Sequence, residues 1–157
     1  KIPADDFIAN LRKTGRDNAR TPMQWDSSAN AGFTAAAKPW LAVNPNYKDI
    51  NAKLEVRDPN SIYSYFSRMV ALRRATPALT YGDYKDLDPQ NLKVFAYTRM
   101  LGKDKYLIVL NFSEQPIAYS LPPGVKARQL VISNLAGNEA HTSVLNLKGW
   151  EARVYKL

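Results

Sequence analysis

The densest chemistry in this 157-residue chain lies in Gly15-Arg16-Asp17-Asn18-Ala19-Arg20-Thr21-Pro22-Met23-Gln24-Trp25-Asp26. Arginines, aspartates, an Asn and a Gln there flank one Trp. A guanidinium locks a carboxylate through two parallel hydrogen bonds, and a carboxylate so held orients sugar hydroxyls. The same residues also suit a self-capping loop in which Arg16 or Arg20 pairs with Asp17 or Asp26. Residue types alone leave both readings open. No complete catalytic set accompanies the segment. Glycoside hydrolysis takes two carboxylates across one bond, whereas Asp5 and Asp6 are adjacent on a helix end and point apart. Asp83, Asp86 and Asp88 fall in a polar turn region and read as solvent-exposed. His141, in Asn138-Glu139-Ala140-His141-Thr142, reads as a surface residue of a loop.

Composition removes several kinds of chemistry. There is no cysteine, so no disulfide framework, thiolate metal site or cysteine nucleophile is available. A lone histidine makes no zinc cluster. No metal or cofactor is expected. No apolar run is long enough to span a bilayer, and the start at Lys1 carries neither Met nor a signal-peptide apolar region. That start reads as a cut from something longer. The net charge of +8 raises the question of nucleic acid. Residues 1–80 carry 12 basic and 7 acidic groups, and residues 81–157 carry 10 and 7, so the excess is spread along the chain. With no basic stripe and no Gly-rich phosphate loop, the expectation is a solvated surface, with neither nucleic acid nor membrane as partner.

The elements that must position the Arg16–Asp26 segment differ along the chain. Phe7, Ile8 and Leu11 sit at helical spacing after Asp5-Asp6. From Thr14 to about Lys53, Gly15, Pro22, Asn30, Gly32, Pro39, Asn44, Pro45 and Asn46 break any regular period. Trp25, Phe33, Trp40 and Tyr47 are spread through this loop, either as packing anchors or as surfaces for sugar rings. A loop so long, when ordered, is usually functional. Asp58-Pro59 then predicts a helix start, an amphipathic stripe of Ile62, Tyr65, Phe66, Met69, Val70 and Leu72 follows, and Pro77 ends the helix near Ala75. Arg68, Arg73 and Arg74 are expected in solvent. After Tyr81-Gly82 the period becomes two. Strands are predicted from Leu92 to Thr98, at Tyr106–Phe112 (buried on both faces), Ile117–Leu121, Ala127–Ile132, Val144–Leu147 and Trp150–Leu157, with a hairpin at Leu101–Asp104. Short strands at this spacing predict an antiparallel sandwich.

The Arg16–Asp26 segment, with Asn30-Ala31-Gly32-Phe33, Lys38-Pro39-Trp40, Val43-Asn44-Pro45-Asn46-Tyr47, Asp58-Pro59-Asn60-Ser61-Ile62, Pro77-Ala78-Leu79, Val109-Leu110-Asn111-Phe112 and Trp150-Glu151-Ala152-Arg153-Val154-Tyr155, resembles glycoside hydrolase family 13. The likeness is to the oligo-1,6-glucosidase and α-glucosidase branch, near the sucrose isomerases, and spans nearly the whole chain. It implies a mainly β fold: a C-terminal, Greek-key-like antiparallel β-sandwich over 81–157, preceded over 1–80 by the final loop and helix (about 59–75) of a (β/α)8 barrel, whose active sites lie at the loop face. It also implies that the aspartate nucleophile, the glutamate acid/base and a second aspartate precede Lys1. No residue of this chain is then catalytic, and the chain alone is expected to be inactive. Arg16, and second to it Arg20, are the implied substrate-binding residues; Asp17, Gln24 and Trp25 are implied loop scaffold. The implied ligands are α-glucosides held by the parent barrel; the absence of cysteine fits a bacterial cytoplasmic protein. The Ile62/Phe66/Met69/Val70 face, without its barrel, is expected to favour self-association.

Two other functions fit parts of the sequence. A sucrose isomerase shares these motifs, although Met23, where isomerases tend to carry Phe, tilts toward hydrolysis. A free-standing carbohydrate-binding sandwich would need an exposed aromatic row, for which Tyr81, Tyr84, Phe95, Tyr97, Tyr106 and Tyr119 are the candidates.

Overall fold

In the computed structural model, which describes residues 2–136 and 142–157, the chain forms two compact units, Lys1–Ser64 and Tyr65–Leu157. His141 lies outside the described residues.

The first unit opens with helix α1 (Ala4–Thr14), acidic in its first turn and basic in its last, which suits the helix dipole. The stretch that follows is not featureless. Short 3₁₀ turns form at Asp17–Ala19, Ala29–Gly32 and Pro45–Lys48, and a single helical turn, α2, spans Ala52–Glu55. Helix α3 (Ile62–Ala75) leaves this unit and runs into the second. It starts later than Asp58-Pro59 predicts. Asp58 instead caps a turn, accepting the Asn60 amide at 2.8 Å, and the Ser61 hydroxyl accepts the Ser64 amide at 3.0 Å. Ser61 therefore satisfies the orphan donors that the Asp58-Pro59 pattern would give to Asp58.

In the second unit Pro77 ends α3 and takes the first position of a five-residue helix, α4 (Pro77–Tyr81). Seven strands follow: β1 (Asp83–Asp86), β2 (Val94–Leu101), β3 (Asp104–Asn111), β4 (Ile117–Ser120), β5 (Gln129–Ser133), β6 (Val144–Leu147) and β7 (Ala152–Lys156). They make a five-stranded sheet in the order β1-β2-β3-β7-β5 and a two-stranded sheet β4-β6, all neighbours antiparallel. Strand β1 corrects the expected polar turn at Asp83–Asp88: its charged side chains hide an extended backbone that pairs Tyr84 with Arg99. Pairing, not propensity, makes it a strand.

The core follows from strand alternation. Val94, Ala96, Leu107, Val109 and Tyr155 point to one face and meet Tyr119, Leu145 and Leu147 of the small sheet. Tyr106, Ile108 and Val154 point to the other and meet Ala78 and Leu79 of α4, with Leu72 of α3 alongside. Strand β3 is thus buried on both faces, as its unbroken apolar run predicts. The β2–β3 hairpin closes between Leu101 and Asp104, where Gly102 takes a φ of 59°. Arg73 is not simply solvated: its guanidinium donates to the Leu79 carbonyl at 3.0 Å and ties α3 to α4.

Candidate functional site

The site builds outward from a strained turn in the first unit. Asn30, Ala31 and Gly32 all adopt positive φ, at 52°, 57° and 65°. Ala31 gains no relief from being a glycine, and each such L-residue costs roughly 1–2 kcal/mol. Its carbonyl is what the conformation serves. It accepts the amides of Trp25 at 2.9 Å and Asp26 at 3.2 Å, while the Ala31 side chain is fully buried. Gly32 has no room for a side chain, since a Cβ there would lie 2.7 Å from Asp26 Oδ1. Strain of this kind concentrates where a loop must hold one geometry.

The outer side of the same loop is tied to the segment 44–55. The amides of Ala52 and Lys53 at the start of α2 donate to the carbonyls of Gln24 and Trp25, at 2.9 and 3.0 Å. The Gln24 carboxamide donates to Asn46 Oδ1 at 3.1 Å and to the Ile50 carbonyl. Asn51, only 3% exposed, donates to the Tyr47 carbonyl at 2.9 Å and accepts the Leu54 amide at 3.1 Å. The sequence alone marks Asn46 as a turn former and gives Asn51 no role. The cue for Asn46 is the Asn-Pro-Asn spacing, which sets up an Asx turn, and that for Asn51 is an N-cap residue type ahead of Ala52.

Within this frame the sequence-predicted residues separate. Gln24 is tied through its side chain. Trp25 is held through its backbone, and its indole is 54% exposed. Asp17 accepts the Arg20 amide at 3.0 Å through its carbonyl, with its side chain in solvent. Arg16 and Arg20 are exposed, and their guanidiniums make no hydrogen bond or ion pair among the described residues. The self-capping pairs therefore do not form. Asp26 turns instead to Ser28, whose hydroxyl and amide hold its carboxyl below the usual carboxylate range, with Lys53 adding to the effect. The loop thus presents two unengaged guanidiniums from a backbone fixed on two sides. Phe33 and Trp40 also face solvent, at 42% and 70% exposure, while Tyr47 is half-buried.

In the second unit, the aromatic candidates divide. Tyr106 and Tyr119 are buried, whereas Tyr84, Tyr97 and Phe95 cluster with ring centroids 5.3 and 4.9 Å apart. They line an apolar cavity of about 590 Å³ with Phe66, Met69, Arg73 and Arg99. Arg99 donates through Nη2 to the Thr80 carbonyl at 2.9 Å, but its buried Nε has no acceptor among the described residues. No cluster of metal-ligating side chains exists among the described residues.

Comparison with known proteins bears on both units. The family described as the α-amylase catalytic domain matches residues 2–82, and the maltogenic amylase C-terminal domain matches residues 84–154. An oligo-1,6-glucosidase of Parageobacillus thermoglucosidasius is 45% identical over 146 residues, covering 91% of this chain and 26% of that protein. A glucan 1,6-α-glucosidase of Streptococcus dysgalactiae is 38% identical over 99% of this chain and 28% of its own length. The crystal structure of an isomaltulose synthase from Protaminobacter rubrum superposes with a TM-score of 0.91 at 49% identity, over 99% of this chain and 28% of that one. The chain thus spans little more than a quarter of the length of the proteins it matches.

Proposed function

Because the chain belongs to the α-amylase family, glycoside hydrolase family 13, we propose that it is the C-terminal part of a retaining α-glucosidase of the oligo-1,6-glucosidase type, inactive by itself. In this reading Arg16, and after it Arg20, help seat the substrate glucose in a pocket whose catalytic carboxylates belong to the rest of the enzyme. The observation that carries the reading is the Arg16–Asp26 loop. It lies inside the catalytic-domain match, its backbone is pinned by Ala31, Ala52 and Lys53, and its arginines are left without partners. A rigid loop holding unpaired guanidiniums suits a group that lies elsewhere in the same active site. The 1,6-linkage follows the names of the oligo-1,6-glucosidase and glucan 1,6-α-glucosidase relatives.

The β-sandwich then has a structural task, covering apolar surface beside the last barrel helix. In keeping with that, Phe66 of α3 is 65% exposed and lines an apolar cavity with Met69 and Phe95. The same uncovered face predicts self-association of the isolated chain, read by sedimentation. One finding favours a sucrose isomerase as the second reading: the isomaltulose synthase is as similar to this chain as the glucosidases are.

Turnover of p-nitrophenyl-α-glucoside and of sucrose, by this chain and by its full-length gene product side by side, tests the reading. Activity confined to the long form supports it, and release of glucose rather than isomaltulose from sucrose selects the hydrolase. Activity in the short chain would overturn it.

A further inference from the structure

A second surface lies at one end of the sandwich, within the second unit. Lys103, Lys105, Lys126 and Arg128, with Gly124, Val125 and Leu157, line a groove of about 530 Å³. Three separate stretches of chain form it: the β2–β3 hairpin, the β4–β5 connection and the end of β7. The sheet brings them together, since the Leu157 amide donates to the Lys105 carbonyl at 2.9 Å and Gln129 pairs with Lys156 across β5 and β7.

Among the described residues, no Asp or Glu side chain lines the groove. The nearest one in sequence, Asp104, precedes Lys105 on β3 and alternation sends it to the opposite face. There it is already engaged, with Lys156 at 3.2 Å. Lys103, Lys105, Lys126 and Arg128 make no ion pair among the described residues. In a chain of net charge +8 such a grouping repels itself, and an anion relieves the repulsion. Among the described residues the lining contains no aromatic side chain on which a nucleobase could stack. Lysine ammoniums act as point charges and the Arg128 fork matches phosphoryl oxygens.

We infer that this groove binds a compact oligophosphate anion. Nothing in the glucosidase reading requires it, and it stands or falls separately. Because the anion binds only the folded groove, it raises the melting temperature as its concentration increases.

The test is calorimetric titration of the chain with sodium tripolyphosphate, at low and at high ionic strength, alongside a thermal melt. The expected result is one tripolyphosphate per chain at low salt, weakened by salt. The double variant K126E/R128E lowers affinity by about a hundredfold, on the order of tenfold for each charge-assisted hydrogen bond removed. K85E/K93E makes the same change in net charge away from the groove and leaves affinity within about threefold. Should K126E/R128E fold poorly, K103Q/K126Q, at exposed positions, repeats the comparison without reversing charge. No binding by the unaltered chain at low salt overturns the inference. So does an equal loss in the groove variant and the K85E/K93E control, which would reduce the effect to net charge.

Discussion

Glu151 and Arg153 face each other through two hydrogen bonds, Nε to Oε1 at 2.8 Å and Nη2 to Oε2 at 2.9 Å, at 0% and 3% exposure. The pair closes a buried polar network. Arg153 also reaches the Asn146 carbonyl at 2.9 Å and the Tyr155 hydroxyl at 3.2 Å, and the Lys148 amide donates to Glu151 at 2.7 Å. The network links β6 to β7 at the edge of the core. It offsets the desolvation that both buried charges suffer.

Burial works to raise the Glu151 pKa, but the Arg153 hydrogen bond, the Lys148 amide and the two positive charges outweigh it and hold the carboxyl below its ordinary value. A depressed carboxylate contributes stability above its unfolded pKa and loses it as pH falls through the folded one. Glu151→Gln leaves Arg153 buried without its counter-charge and is expected to destabilise the sandwich by about 3–5 kcal/mol at neutral pH. Urea unfolding across the acid range checks the sign. The gap between wild type and variant should narrow as pH falls, and a constant gap would locate the effect in packing instead of charge.

Tyr119 gives the opposite dependence. Burial pushes its hydroxyl up to about 12, with Asp88 and Asp86 adding to the shift. A raised acid contributes stability below its unfolded value of 10.0 and loses it as pH rises toward the folded one. Tyr119→Phe removes the hydroxyl that burial and the neighbouring Asp88 and Asp86 keep protonated, and is expected to cost about 1 kcal/mol at neutral pH. In alkaline unfolding experiments the deficit should shrink above the ordinary tyrosine range. A variant that tracks the wild type in parallel would contradict this.

The strained turn makes a local prediction. Gly32→Ala adds a Cβ 2.7 Å from Asp26 Oδ1 at a φ of 65° and should cost about 1–2 kcal/mol. The loss belongs to the first unit, so hydrogen exchange at the Trp25 and Asp26 amides should accelerate while that of the β3 amides holds. Acceleration at both would mean the turn supports the whole chain.

These sites show which features a sequence exposes. Helix α3 and strand β3 are legible because an amphipathic stripe and an unbroken apolar run state their own burial. The hairpin is legible from Gly102. The start of α3 is ambiguous because Asp58-Pro59 and Ser61 both carry capping chemistry, and only the turn between them shows which one caps the helix. Strand β1 is hidden because Asp83, Lys85 and Asp86 are charged, and β2 decides its conformation. The Glu151–Arg153 pair is invisible in kind, since charged residues two apart read as solvated until the small sheet closes over them. In the loop, Arg16–Asp26 announces itself by composition. The carbonyl of Ala31 that fixes it has no side-chain signature.

The sharpest separation of binding from scaffolding comes from Arg16 and Gln24. The Arg16 guanidinium makes no bond among the described residues, so Arg16→Ala should leave the unfolding free energy of this chain within about 0.5 kcal/mol. Gln24 donates to both Asn46 and Ile50, and Gln24→Ala should loosen the loop by about 1–3 kcal/mol. In the full-length enzyme the order should reverse. Without its charge-assisted hydrogen bonds to substrate or to a partner carboxylate, Arg16→Ala should fall on the order of a hundredfold in kcat/KM. Gln24→Ala should act more mildly, because Ala52 and Lys53 still grip the loop backbone. If Arg16→Ala instead destabilised the short chain and spared turnover in the long one, the guanidinium would be scaffold, and the substrate-seating role would pass to Arg20.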